Sequence, residues 1–151
     1  MVEELPQFAR WSLRLPGPLD LADFVLDLPI NRASIKGERL AARLGPDEWL
    51  LVAPAGDSPD FRALQGRHHS LVDVSHRYAA FAVEGKNAPL VLAAGCPLDL
   101  HPDFFTPGCA TRTLFGKAEI VLWRLAESRA YRIECARSFA PYVHRFLKEH
   151  A

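Results

Sequence analysis

Short apolar runs separated by turn residues dominate the chain and predict a protein built mainly from strands. In residues 9–15, Trp11, Leu13 and Leu15 alternate with polar neighbours, which is the period of a half-buried strand. The same reasoning predicts strands over residues 39–44, 49–53, 70–74, 79–83, 111–114, 119–125 and 131–136, with Gly116-Lys117 turning one pair into a hairpin. Residues 19–28 fit either a short helix capped by Asp20 or a strand, and both alternatives stay open.

Two short helices are indicated by the residues at their ends. Ser58-Pro59 combines a capping hydroxyl with a proline at the first helical position, so we expect a helix over residues 59–65 that stops at Gly66. A second helix is expected over residues 87–94. Gly95 follows it and is placed to adopt the left-handed conformation that commonly ends a helix.

A longer helix is predicted near residue 151. Ser138 can cap it, and Pro141 falls in its first turn, where a missing N–H costs little. Its apolar residues recur at the spacing of one helix face: Phe139, Tyr142, Val143, Phe146 and Leu147. This face should pack against a sheet.

The order of these elements predicts the fold class. Helices are too few to form a crossover after every strand, so we expect an α+β protein with mainly antiparallel sheets and helices packed on one face. A linker near residues 66–70 is expected to separate two small subdomains, residues 1–70 and residues 71–151. The second subdomain reads β-α-β-β-β-α.

Composition excludes several classes of function. Eighteen basic and eighteen acidic residues leave no net charge, and there is no basic face or polybasic run for nucleic acid or an anionic membrane. No apolar stretch approaches the roughly 18 residues that span a bilayer, and the acidic first residues do not resemble a signal peptide. Three cysteines without CxxC spacing suit free thiols in a reducing compartment, so we expect a cytoplasmic protein.

The cysteines offer little nucleophilic chemistry. Cys96 follows the predicted helix at its C-terminal end, where the helix dipole disfavours a thiolate, and Cys135 lies in a predicted strand as a small core residue would. Cys109 stands in a loop near Arg112, the one placement that favours a reactive thiolate; ordinary packing is the alternative.

Metal and phosphate sites are also not indicated. His68 and His69 are adjacent, so they would point in opposite directions on a strand. Cys96, Asp99, His101 and Cys109 match no known ligand spacing, and no glycine-rich phosphate loop is present. We therefore assign no catalytic, cofactor-binding or metal-binding residue.

Two segments concentrate side chains that suit recognition. Residues 72–77 place Asp73, Ser75, His76 and Arg77 at a strand end. Residues 98–105 run from Asp99 to two adjacent aromatics. Exposed aromatics are costly in a monomer and useful at an interface. The alternative is that both aromatics, Phe104 and Phe105, fold back onto the core.

The sequence from Gly45 onward resembles the gamma subunit of heterotetrameric sarcosine oxidase. The segments that carry the resemblance are GPDEWLLVAP, LVDVSHRYAAFAVEG, LAAGCPLDLHPDFF, CATRTLFGKAEIVLWR and ARSFAPYVHRFL, in this order. The resemblance implies a complex of alpha, beta, gamma and delta chains that oxidatively demethylates sarcosine and passes the one-carbon unit to tetrahydrofolate. It also implies that FAD, FMN, NAD, tetrahydrofolate and zinc are held by the partner chains, with no cofactor on this one.

The sequence is also similar to the N-terminal region of the folate-binding aminomethyltransferases, which have a DxSH segment like residues 73–76. The sequence stops without their barrel domain, so a complete folate site is not expected. The leading hypothesis is a non-catalytic structural subunit, whose candidate partner-contact residues are Asp73, His76, Arg77, Asp99, Phe104, Phe105 and Arg112. One alternative is a stand-alone folate-binding protein in which Asp73 or Asp99 receives the pteridine edge. The other is a homodimeric interaction module.

Overall fold

The computed structural model describes residues 1–125 and 130–151. Its strands, in chain order, are β1 (Val2–Glu4), β2 (Phe8–Arg14), β3 (Arg32–Lys36), β4 (Arg39–Gly45), β5 (Glu48–Pro54), β6 (Ser70–Asp73), β7 (Tyr78–Glu84), β8 (Ala110–Phe115), β9 (Ala118–Arg124) and β10 (Ala130–Ala136). The helices are α1 (Ala88–Ala93) and α2 (Ala140–His150). The chain forms two compact units. One consists of residues 7–75, and the other consists of residues 1–6 together with residues 76–151.

The unit formed by residues 1–6 and 76–151 contains an antiparallel sheet in the order β1-β7-β10-β9-β8. Ile133 lies opposite Phe81 on one neighbouring strand and Leu122 on the other, so the three side chains share one face. Helices α1 and α2 add Leu92 and Val143 to the same buried cluster. The predicted helix-on-sheet packing is therefore confirmed here.

The unit formed by residues 7–75 has a second antiparallel sheet, in the order β3-β4-β5-β2-β6. Its core contains Leu13, Trp49 and Leu51, and it is covered by the segment whose structure the sequence left open. That segment is irregular: Phe24 and Leu26 enter the core, and the Trp49 indole N–H donates to the Leu26 carbonyl at 3.0 Å. The α+β class with mainly antiparallel sheets is confirmed.

The helix predicted over residues 59–65 is wrong. Only a short 3-10 turn forms there, over Arg62–Leu64. The Arg62 N–H donates to the Asp60 carboxylate at 2.9 Å, and the Asp60 N–H donates to the Asp23 carboxylate at 2.6 Å. These side-chain acceptors offer the backbone an alternative to helical hydrogen bonds, which explains the error.

Two predicted helix ends also need correction. Ser138 does not cap α2, because it lies inside a 3-10 turn, Arg137–Phe139, that precedes the helix. Gly95 is not left-handed; it is required by close packing, since an added Cβ would lie 3.0 Å from the Gly116 nitrogen and from the Phe115 ring. The Gly95 carbonyl accepts the Gly116 N–H at 2.8 Å.

Neither described helix is long and apolar enough to cross a membrane.

Candidate partner-binding surface

Within the DVSH segment (residues 73–76), Asp73 and Ser75 are tied by hydrogen bonds into the unit formed by residues 7–75. Asp73 accepts the Ser75 N–H at 2.9 Å, closing a turn directly after β6. The Ser75 hydroxyl oxygen accepts the Arg10 backbone N–H at 2.8 Å, and its carbonyl accepts the Arg10 guanidinium at 3.3 Å. The polar groups of Asp73 and Ser75 thus fix the end of a strand.

The remaining residues of this stretch lie at the surface. His76 and Arg77 are exposed in a short 3-10 turn, Ser75–Arg77. Arg77 and Arg112 both act electrostatically on Tyr78, whose pKa is raised because burial disfavours the phenolate, an effect that the two cations oppose. Arg112 also lies 3.5 Å from the Glu119 carboxylate across the β8–β9 hairpin. The structure therefore groups Arg77 and Arg112 around Tyr78.

The aromatic loop (residues 98–105) separates its two phenylalanines. The Phe104 side chain is 71% exposed, whereas Phe105 is 6% exposed and belongs to the core. Asp99 accepts the His101 N–H at 2.9 Å, and the His101 carbonyl accepts the Phe104 and Phe105 N–H groups at 2.9 and 3.0 Å. One aromatic therefore anchors the loop and its neighbour projects from it.

Arg124 holds the anchored side of the loop. Its guanidinium donates to the Phe105 carbonyl and lies 5.8 Å from the centre of the Tyr131 ring. The same Tyr131 ring stacks on Phe105 with centroids 6.3 Å apart. Burial raises the pKa of Tyr131, so this phenol stays neutral beside the cation.

The other candidate chemistry is dispersed or engaged in packing. Cys96 and Cys135 are buried, and the half-buried Cys109 lies 3.6 Å from the Thr106 hydroxyl. Among the described residues, no group of three or more His, Cys, Asp or Glu is arranged to hold a metal. Clefts of the described surface include five of about 180 to 490 Å³, which are lined by residues other than the candidate contact residues.

Two buried charge systems were missed by the sequence analysis. Arg132 and Glu134 form a buried ion pair of 2.6 Å on the face of β10 opposite the core cluster. Arg10 is fully buried in β2. The alternation of Arg132 and Glu134 with Tyr131, Ile133 and Cys135 was the available signal, because period two places the two charges on one face.

The sequence matches a family described as Sarcosine oxidase, gamma subunit family, over residues 21–151. Among curated proteins, it is 37% identical over 91 residues to a sarcosine oxidase subunit gamma from Arthrobacter sp., covering 58% of this chain and 45% of that protein. It is 36% identical over 107 residues to a subunit of the same name from Corynebacterium sp. (strain U-96), covering 69% and 52%. The chain spans about half the length of these curated relatives.

Two solved structures share the fold. A chain of the heterotetrameric sarcosine oxidase from Corynebacterium sp. U-96, in complex with pyrrole 2-carboxylate, aligns with a TM-score of 0.84 and 26% identity, covering 99% of this chain and 82% of that one. The glycine cleavage system aminomethyltransferase T from Bartonella henselae aligns with a TM-score of 0.73 and 15% identity, covering 97% and 44%, which shows a common fold. With a match that extends over residues 21–151, the chain belongs to the sarcosine oxidase gamma subunit family.

Proposed function

We propose that this chain is a non-catalytic structural gamma subunit of a sarcosine-oxidase-like complex. The observation that carries the proposal is the family match over residues 21–151, joined to the likeness of nearly the whole chain to one chain of a heterotetrameric enzyme. In this proposal the complex oxidatively demethylates sarcosine and passes the one-carbon unit to tetrahydrofolate. This chain contributes binding surfaces to the complex, and the partner chains carry out the reaction.

The partners in this proposal are alpha, beta and delta chains, which would hold FAD, FMN, NAD, tetrahydrofolate and zinc. The cytoplasm is the compartment that suits such a complex and the three free cysteines of this chain. The isolated chain could also self-associate when its partners are missing, because a surface shaped for another chain stays uncovered.

The contacts of the potentially reactive side chains support a structural role. A general base or nucleophile must be free to reach a substrate. In this chain the Ser75 hydroxyl is bonded to the Arg10 backbone, and Arg112 is engaged with Glu119. We propose that the exposed members of the candidate set take part in partner contacts: Asp73, His76, Arg77, Asp99, Phe104 and Arg112. Phe105, buried in the core, supports that surface from below.

The experiment is recovery of the complex from the source organism. A tag on the chromosomal copy should bring down larger flavin-bearing chains in fixed proportion, together with sarcosine-dependent activity. An unrelated tagged protein from the same cells serves as the control. Recovery of this chain alone, or as a homodimer without flavin, would contradict the proposal and favour a stand-alone interaction module.

The alternative, a stand-alone folate-binding protein, needs an experiment of its own. A pteridine edge would need a free carboxylate in a concave site. Asp73 and Asp99 are exposed, and each carboxylate accepts a backbone N–H that closes a turn. Calorimetric titration of the isolated chain with tetrahydrofolate should give no saturable heat. Micromolar binding that Asp73→Asn or Asp99→Asn abolishes would restore the alternative.

A further inference from the structure

We propose that the Tyr78 hydroxyl and the Arg77 guanidinium bind an oxyanion, a carboxylate or a phosphate group, at a corner of the sheet where arginines gather. The site lies in the unit formed by residues 1–6 and 76–151, at the beginning of β7. The inference deepens the proposed function, because it gives Arg77, a candidate partner contact, a ligand of defined chemistry. It rests on that function only where the oxyanion belongs to a partner chain.

Three exposed arginines gather at this corner. Arg77 ends the short turn that leads into β7. Tyr78 pairs with the last residue of β10, so Arg77 and Arg137 are the next residues beyond this pair on the two chain segments. The Arg137 guanidinium donates to the His76 carbonyl at 3.5 Å, which holds its charge beside the same turn. The third cation, Arg112, comes from β8.

The Tyr78 phenol lies near two of these cations. Tyr78 and Arg112 alternate with core residues along β7 and β8, so both side chains are on the sheet face opposite the core cluster. Arg77 and Arg112 both act electrostatically on the phenol. Like charges brought together repel each other, so an anion held between them would be stabilising.

Two carboxylates also act on the phenol, and both are engaged with other arginines. Glu134 forms the buried ion pair of 2.6 Å with Arg132, and Glu119 lies 3.5 Å from Arg112. By contrast, Arg77 forms no ion pair with any residue that the structure describes. The corner therefore contains a guanidinium whose charge the described chain leaves unmatched.

The Tyr78 hydroxyl adds a neutral donor beside these cations. The side chain is half-buried, and its hydroxyl forms no hydrogen bond with the described residues. Burial raises the pKa of Tyr78, so the phenol keeps its proton at neutral pH and can donate it to an oxyanion. Hydrogen bonds to ionised acceptors are stronger than neutral ones, and the planar guanidinium of Arg77 matches the oxygens of a carboxylate or phosphate. The two side chains can therefore bind one anion together.

Titration of the isotope-labelled full chain with sodium phosphate and with sodium acetate tests the site. Ionic strength is held constant with sodium chloride, and the Nε–H signal of Arg77 is followed by NMR. We expect a saturable shift with at least one of the two oxyanions. Tyr78→Phe should weaken binding by about 5-fold or more and Arg77→Gln by about 10-fold or more, because each removes a charge-assisted hydrogen bond.

Arg145→Gln is the matched control. Arg145 is exposed in the same unit and lies 2.9 Å from the Glu149 carboxylate, so its loss should change oxyanion binding by less than about 2-fold. Thermal unfolding checks that each variant is folded. A shift that chloride alone reproduces, or wild-type affinity in both Tyr78→Phe and Arg77→Gln, would overturn the inference.

Binding to the flavin-bearing chains distinguishes two sources of the oxyanion. If a partner carboxylate occupies the site, Tyr78→Phe and Arg77→Gln should weaken recovery of those chains by about 3-fold or more relative to Arg145→Gln, and added phosphate should compete. If recovery is unchanged while the isolated chain binds phosphate or acetate, the oxyanion is a small molecule. If the wild-type protein recovers no flavin-bearing chain, the proposed function fails, and the titration of the isolated chain still decides the site.

Discussion

The DVSH segment and the aromatic loop both carried the sequence resemblance, yet the structure uses their side chains in opposite ways. In the DVSH segment, Asp73 and Ser75 are bonded inside the unit formed by residues 7–75, with Ser75 accepting two hydrogen bonds from Arg10. In the aromatic loop, the buried contacts are made by Phe105, and Phe104 remains exposed. The polar Asp73 and Ser75 side chains maintain the fold, whereas the apolar Phe104 side chain is exposed at the surface.

This difference has a physical origin. A hydroxyl or carboxylate near a strand end can satisfy nearby backbone N–H groups, and burying such donors without an acceptor is costly. A phenyl ring has no such local partner, so it is either buried or left for another surface. Side chains that satisfy the backbone are therefore poor evidence of catalysis, and an exposed aromatic on a fixed loop is better evidence of an interface.

The largest expected effect distinguishes the two aromatics of the loop. Phe105→Ala should lower the free energy of unfolding by about 3–5 kcal/mol, since it leaves a cavity beside Tyr131. Phe104→Ala should change it by less than about 0.5 kcal/mol, as for other surface substitutions. Urea unfolding of the isolated chain measures both. Similar losses of unfolding free energy in the two variants would contradict the distinction between a buried Phe105 that holds the loop and an exposed Phe104.

A smaller effect tests the structural role of the DVSH segment. Ser75→Ala removes the acceptor of the Arg10 N–H and should cost about 1–3 kcal/mol of stability, because Arg10 is buried and its donor is then unsatisfied. Ser138→Ala is the control: this serine does not cap α2, so its loss should cost less than about 0.5 kcal/mol. If Ser75→Ala unfolds like the control, the hydroxyl does not hold the strand end.

A still smaller effect is expected from the carboxylates of the two segments. Asp73→Asn and Asp99→Asn should each change stability by less than about 0.5 kcal/mol, because an amide oxygen can still accept the Ser75 or His101 N–H. Thermal unfolding with and without tetrahydrofolate measures both stability and binding. A stabilisation by tetrahydrofolate that either substitution removes would show that the segments share a ligand role.

Acid should act on a third region, where arginine side chains bond to Asp57 and Asp60. Hydrogen bonds from Arg39 at 2.8 and 2.9 Å lower the pKa of Asp57, and those from Arg62 lower the pKa of Asp60 to about 2. Each carboxylate stabilises the fold above its ordinary pKa near 3.8, and that contribution is lost as pH falls through the lower folded-state pKa. Asp60→Asn should flatten the fall in unfolding free energy between pH 3.8 and about 2, measured in urea at low salt. An unchanged acid limb would contradict this assignment.

Much of the architecture was predictable from local sequence. The alternation in β2 and β10, and the glycine turn of the β8–β9 hairpin, carried enough signal to place these strands. The strand β1 did not, because Val2–Glu4 shows no alternation and becomes a strand by pairing with β7. The helix expected over residues 59–65 failed because the Asp23 carboxylate, distant in sequence, binds the backbone there.

The sequence by itself determined the fold class, most strands, the family resemblance and the two segments in which to search for function. These depend on periodicity and on residue types close together in the chain. Only the tertiary structure decided that Phe105 is buried and Phe104 is exposed, that Ser75 bonds to Arg10, and that Gly95 is needed for its approach to Gly116. Such outcomes depend on what approaches each residue from distant parts of the chain, and no local pattern records that.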